Sequence, residues 1–334
     1  MAENVITTPG FVDLQVNGFA GVDYNSPDSS LGEIGGSLDV IRKTGVLRVL
    51  PTVITGPRLE MIAALRNLAR AQRDLPNGRM IAGFHVEGPH ISPEDGPRGA
   101  HLLECVRSPD FTEFEDWQEA TGAQIRLVTL SPHWDEAPAY IERVKQSGAA
   151  VSIGHTHASP LQIQAAVDAG ATLSTHLGNG AHRVLPKFPN YIWEQLSEDR
   201  LTAGFIADGI HLPDQFLRPA VRAKTPARSI LVTDASSPAG ATPGRYRLGT
   251  QEVDLTMDGR VVLAGQDRLA GSALKMNDAI AHVIRVAGVS FEEAIRMATI
   301  QPARAVGLPE NSGAVVLQWD GRHIRIIETV VETV

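Results

Sequence analysis

The segment AVSIGHTHASPLQIQAAVDAGATLSTHLGNG, residues 150–180, decides the fold. It opens with a short apolar run, Ala150–Thr156, that carries His155 near its end. Pro160–Gly170 then places apolar residues three and four apart, the spacing of one helix face, and closes on a glycine as helices commonly do. A second apolar run, Ala171–Leu177, follows and carries His176 near its end. Near-continuous apolar runs suit strands covered on both faces, and strand–helix–strand is the repeating unit of a parallel sheet.

Six more runs of the same kind flank this unit. Phe11–Gly18, Arg48–Thr55, Met80–Gly88 and Ile125–Pro132 precede it, and Thr202–Gly209 and Ser229–Ala235 follow. Helical spacing recurs between them, in Leu59–Arg73, Pro138–Gly148 and Gln215–Ala223, the last interrupted by Pro219. Eight such units over about 225 residues fit a closed barrel better than an open sheet. The expected fold is therefore α/β, a (β/α)₈ TIM-like barrel.

Beyond the eighth run the pattern changes. Arg245–Val262 reads as short hairpin strands with a turn at Asp258-Gly259, and Ala314–Val334 alternates around Asp320-Gly321. Phe291–Val306 reads as one helix, with Ser290 as N-cap and Glu293 completing a capping box. The expected organisation is a barrel over residues 9–240 and 265–310. A small, reduced β-rich appendage would comprise 241–264 and 311–334, together with 1–8.

The chain has 334 residues, 43% hydrophobic and 20% charged, with a net charge of -8. That balance excludes an ordinary nucleic-acid binder, which is basic, but leaves room for a small anionic substrate met by a local basic cluster. A single cysteine, Cys105, excludes an intrachain disulfide. There is no basic leader pattern and no apolar stretch of spanning length, so a cytoplasmic protein without membrane contact is expected.

Active sites of such barrels lie at the C-terminal ends of the strands, so polar residues there are informative. The runs end in Gln15 and Asn17, in His85 and Glu87, in His155 with His157 beyond it, in His176, in Asp208 and His211, and in Asp234. Singly, each has an ordinary structural reading: a satisfied histidine, a helix cap, a loop hydrogen bond. Together they converge on one axis, and buried without a partner they would be costly. A glutamate plus two histidines is a common ligand set for a catalytic divalent metal. A carboxylate such as Asp234 beside it can take a proton from water and pass it to a leaving amine. No nucleophile elbow and no nucleotide-binding glycine motif competes with this reading.

With these residues in hand, the chain resembles the N-acetylglucosamine-6-phosphate deacetylases of the amidohydrolase superfamily. The similarity runs from PGFVDLQVNGFAGVDYN (9–25) through LPTVITG (50–56), GFHVEGPHIS (83–92), SIGHTHAS (152–159), STHLGNG (174–180), GFIADGIHL (204–212), LVTDASSPAG (231–240) and LAGSALKM (269–276) to MATIQPARAVG (297–307). HVEGP and VTDASSPAG are specific together. The resemblance implies that Glu87, His155 and His176 bind the metal and that Asp234 is the catalytic acid/base. It implies that His211 is catalytic and contacts the substrate near its acetyl carbonyl, and that His101, Asn179 and Gly180 contact the sugar. Gln15 and Asn17 stand where many superfamily members carry His-x-His. That implies one divalent ion, zinc first, with Fe2+, Co2+ or Mn2+ as alternatives.

The resemblance also implies hydrolysis of N-acetylglucosamine-6-phosphate to glucosamine-6-phosphate and acetate by a homodimer. This sequence departs from the family pattern at AHRVLPKFPNYIW (181–193), where the family carries a phosphate-binding arginine. His182, Arg183 and Lys187 are the basic groups of that stretch, and Arg183 is the expected substrate contact. The departure keeps alternatives open: deacetylation of an unphosphorylated amino sugar, or of another N-acyl compound. Cyclic-amide hydrolases of the superfamily use a carboxylated lysine on the fourth strand, and Ile125–Pro132 contains no lysine. A barrel that binds a sugar without turnover would have no need of the acid/base and metal set.

Overall fold

The structure, a computed structural model, describes residues 4–310 and 313–331. Residues 1–3, 311–312 and 332–334 of the expected β-rich segments lie outside the described residues.

Each of the eight apolar runs meets a strand, and the second strand begins two residues before its run. These are β1 (Phe11–Val16), β2 (Val46–Ile54), β3 (Phe84–Glu87), β4 (Ile125–Leu130), β5 (Ala150–Ile153), β6 (Leu173–Ser174), β7 (Thr202–Phe205) and β8 (Ser229–Leu231). They pair in parallel in chain order, β1 to β8. The last gap is closed just beyond the strand ends, where Val16 and Ala235 form a parallel bridge and the Asn17 amide donates to the Ala235 carbonyl at 2.6 Å. Short strands suffice because the helices outside and the aliphatic side chains inside bury both faces.

One side-chain contact also ties β1 to the segment after β8. Thr233 Oγ1 donates to Asp13 Oδ2 at 2.6 Å, and the Thr233 amide donates to Oδ1 at 3.2 Å. Asp13 is 1% exposed, and burial pushes its carboxyl up to about 7. A carboxyl with a folded pKa above its unfolded value of about 3.9 adds stability that is complete below that value and is lost as pH rises through about 7. Asp13→Asn is therefore expected to remove up to about 4 kcal/mol of the decline in unfolding free energy between pH 4 and 7. Urea unfolding at a series of pH values checks this, and parallel curves for the two proteins would refute it.

The helices follow the sequence signals. Leu59–Arg73 lies within the helix Arg58–Asp74, and Pro160–Gly170 matches the helix Pro160–Ala169 plus its C-cap Gly170. Capping boxes start helices at Ser30/Glu33, Ser159/Gln162 and Ser290/Glu293. Helix Asp214–Lys224 continues through Pro219. The single helix expected over Phe291–Val306 is corrected to two, Phe291–Met297 and Ile300–Ala305. The chain breaks at Thr299, whose φ of -132° and ψ of -80° are not helical and whose hydroxyl donates back to the Ile295 carbonyl.

Gly18–Phe19 and Val22–Asp23 form a two-stranded antiparallel sheet, and two three-stranded antiparallel sheets flank the barrel. Gly244–Leu248, Gln251–Leu255 and Val261–Leu263 form one, with its own apolar cluster around Val253 and Val261. The N-terminal strand Asn4–Pro9 pairs with Ala314–Trp319, which pairs with Ile324–Val330. No helix among the described residues is long and apolar enough to cross a membrane.

Candidate active site

Glu87 ends β3, and His155 and His176 lie two residues past the ends of β5 and β6. His155, His176 and Asp234 share an uncommon backbone, with φ of 48°, 26° and 50°. Left-handed backbone at a residue with a side chain costs of order 1–3 kcal/mol and persists where the surroundings over-determine it. Here it turns the chain sharply at the strand ends and delivers three side chains to one cleft.

The three side chains expected as ligands meet. Glu87 Oε1 stands 3.0 Å from His176 Nε2 and 3.3 Å from His155 Nε2, and the two imidazole nitrogens are 3.1 Å apart. Ligands at about 2.0–2.1 Å around a tetrahedral ion stand roughly 3.3 Å from one another, so this spacing fits one metal ion. The tautomer fits as well. His155 Nδ1 donates to the Pro97 carbonyl at 2.8 Å, which leaves the Nε2 lone pair free. Gln15 Nε2 donates to Glu87 Oε1 at 2.9 Å and fixes the carboxylate. Burial pushes the Glu87 carboxyl up, but the two imidazoles outweigh it and hold the group well below the usual carboxylate range. Among the described residues, this is the one group of three such side chains whose donor atoms all lie within 4.8 Å of one another.

Asp234 enters the same cleft from the end of β8, 9% exposed. Burial and the negative charge of Glu87 raise its pKa to about 6, while Asn17 Nδ2 donates to its Oδ1 at 2.7 Å. Gln15 and Asn17 thus serve as hydrogen-bond donors to the two carboxylates.

His211 lines the cleft, and its Nδ1 lies 2.6 Å from Asp208 Oδ2. Asp208 Oδ1 accepts from the Ile210 and His211 amides, each at 2.8 Å. Burial raises the Asp208 carboxyl, but these donors bring it below its ordinary value. Asp208, a strand-end aspartate in the sequence, joins the site through His211. Its spacing of three from His211 was the signal available. His101 packs edge-on against His155, with ring centroids 4.3 Å apart, and its Nδ1 lies 2.8 Å from Thr55 Oγ1. Burial lowers the His101 pKa to about 3, so the ring is neutral.

The cleft is open to solvent, spans about 620 Å³ with its mouth included, and has Asn179, Gly180, Leu248 and Leu269 in its walls. Not every sequence candidate reaches it. His85 points into the barrel interior, to Thr52 and Thr129. His157 binds Ser92. Arg183 and Lys187 are exposed and do not line the cleft, and among the described residues no lysine or arginine lines it.

A (β/α)₈ barrel with a Glu–His–His set and a facing aspartate defines a metal-dependent amidohydrolase, and the model of the amidohydrolase family matches residues 6–320. The N-acetylglucosamine-6-phosphate deacetylase of Danio rerio is 34% identical over 99% of this chain and 83% of its own length. The N-acetylgalactosamine-6-phosphate deacetylase of Escherichia coli O157:H7 is 33% identical over 96% of this chain and 85% of its own. The structure of a variant N-acetyl-D-glucosamine-6-phosphate deacetylase from Mycobacterium smegmatis, in complex with N-acetyl-D-glucosamine-6-phosphate, superposes with a TM-score of 0.89. It is 29% identical and covers 98% of this chain and 87% of that one. The chain belongs to the amidohydrolase family and, within it, to the N-acetylglucosamine-6-phosphate deacetylases.

Proposed function

We propose that this protein hydrolyses the N-acetyl group of N-acetylglucosamine-6-phosphate, giving glucosamine-6-phosphate and acetate. The observation that carries this reading is Asp234 facing the Glu87–His155–His176 set across one cleft, in a chain 34% identical to a deacetylase of that substrate.

Glu87, His155 and His176 would hold one divalent ion, for which zinc is the first choice. Such an ion supplies polarisation of the acyl oxygen and a water acidic enough to attack near neutral pH. Asp234 takes the proton of the attacking water and returns it to the departing amine nitrogen. Asn17 occupies Oδ1 of that carboxylate, leaving Oδ2 for the proton. His211 presents the ring nitrogen that Asp208 does not use and stabilises the charge developing on the acyl oxygen. His101, Asn179 and Gly180 hold the sugar. His211→Asn is expected to lower kcat by about 10²-fold with metal content unchanged. A loss of less than threefold would remove His211 from the chemistry.

A second reading, deacetylation of an unphosphorylated N-acetyl sugar or other N-acyl compound, is favoured by the absence of a lysine or arginine from the described cleft lining. Under the first reading the phosphate anchor comes from outside that lining. This fits a homodimer, for which the exposed Val184, Phe188 and Trp193 on the segment carrying Arg183 are the supporting observation. We place the enzyme in the cytoplasm, acting on a small molecule. The test is acetate release by zinc-loaded protein from N-acetylglucosamine-6-phosphate, its galactosamine epimer and N-acetylglucosamine. Preference for the first substrate supports the proposal, and equal or greater rates on the unphosphorylated sugar overturn it.

A further inference from the structure

Two loops supply the sugar side of the cleft. Residues 92–101 bring Gly99, Ala100 and His101, and residues 179–190 begin with Asn179 and Gly180. Neither loop contains a helix or an extended strand. The first is anchored firmly to the barrel: the Ser92 amide donates to the His155 carbonyl, Pro97 accepts from His155 Nδ1, and Arg268 binds Asp95 and the Gly99 carbonyl. The second rests on the core through the half-buried Ala181 and Leu185, and Asn190 Nδ2 donates to the Pro186 carbonyl at 3.0 Å. Its other side meets the first loop.

The contact is specific. His182 Nε2 stands 2.9 Å from Glu94 Oε2, and Gly96 lies so close beneath that a Cβ there would come within 2.9 Å of His182 Cα. Behind the ring, the Tyr191 hydroxyl accepts the His182 amide at 2.8 Å and lies 3.0 Å from Nδ1. With its oxygen accepting from the amide, that hydroxyl has its own hydrogen to give to Nδ1. The ring then carries its proton on Nε2 and donates to Glu94. This is a complete arrangement for a neutral imidazole and needs no ionic charge on the ring. Glu94 is held at both ends: its amide donates to Ser92 Oγ, and His157 Nε2 stands 3.7 Å from Oε1, the carboxylate oxygen that His182 does not use.

We propose that Glu94 and His182 form a clasp that sets the spacing between the two sugar-holding walls, which makes Glu94 a positioning residue for substrate binding. Glu94 touches no reacting atom and acts through His182 on Asn179 and Gly180. The stretch at 181–193 thus has an architectural use beside any role in phosphate contact. The inference rests on the deacetylase reading for its kinetic arm only.

The test uses the full-length, metal-loaded protein and its Glu94→Ala and Glu94→Gln variants. Glu94 is half exposed, so both are expected to fold with unchanged melting temperature and metal content. For Glu94→Ala, KM for N-acetylglucosamine-6-phosphate is expected to rise about tenfold with kcat within a factor of two. Amide hydrogen exchange in residues 179–190 is expected to quicken at least tenfold, while exchange in β3 to β6 stays unchanged. Glu94→Gln keeps an acceptor for Nε2–H and is expected to behave like wild type in both measurements. Unchanged KM and exchange in Glu94→Ala overturn the clasp, and so does a fall in kcat with KM unchanged. If wild-type protein releases no acetate from this substrate, the deacetylase reading falls, and the exchange rates alone still decide whether the clasp exists.

Discussion

Asp234→Asn is expected to lower kcat for acetate release by about 10³-fold or more, with one metal ion per chain retained. The reasoning is local. The side chain is buried, and its Oδ1 already accepts a hydrogen bond from Asn17. An amide oxygen can accept the same bond, so the substitution keeps shape and contact. It removes the capacity to take and return a proton. Burial and Glu87 already raise the Asp234 carboxyl to about 6, which means that the folded protein holds this charge at a cost. A neutral isostere relieves that cost, so the unfolding midpoint should stay level or rise. Loss of activity together with unchanged or higher stability is the signature of a chemical role. Turnover within tenfold of wild type would remove Asp234 from the mechanism.

Glu87→Gln should act on the metal. The carboxylate stands within 3.3 Å of both imidazole Nε2 atoms and accepts from Gln15. Changing even an outer partner of a metal ligand commonly costs 10–100-fold in affinity, so replacing the only carboxylate of the set is expected to cost more than about 100-fold. Protein passed through a desalting column should retain well under one equivalent of zinc by elemental analysis. Activity should fall in step and recover in part at millimolar zinc. Full stoichiometry in the variant would show that Glu87 is not a ligand. The two substitutions thus separate the roles: one loses turnover with its metal, the other loses turnover through its metal.

Much of the barrel was legible in the sequence because parallel strands buried on both faces leave continuous apolar runs, and eight of them do so here. The helix over Arg58–Asp74 was legible because its apolar residues keep one face. The break at Thr299 was not, because the apolar periodicity runs through it and only the local backbone, closed by the Thr299 hydroxyl on Ile295, interrupts the helix. Helix Asp214–Lys224 shows the converse. Pro219 warned of a break, and the helix packs through it, with Leu217, Ala220 and Val221 buried.

By itself the sequence determined the order of the strands, the residues at their C-terminal ends and the family these residues define. Strand periodicity could not choose among the histidines, and only the family resemblance singled out His155 and His176. Alternation puts His85 and Glu87 on one face of β3, yet only Glu87 reaches the cluster with His155 and His176. His85 lies a layer deeper, bound to Thr52 and Thr129 inside the barrel. His155 and His157 are likewise two apart, and the left-handed backbone at His155 sends one ring to Glu87 and leaves the other to Ser92. Strand periodicity specifies a face and no depth along the barrel axis. Depth and direction come from the register between neighbouring strands and from a few strained turns, which exist only once the barrel has closed.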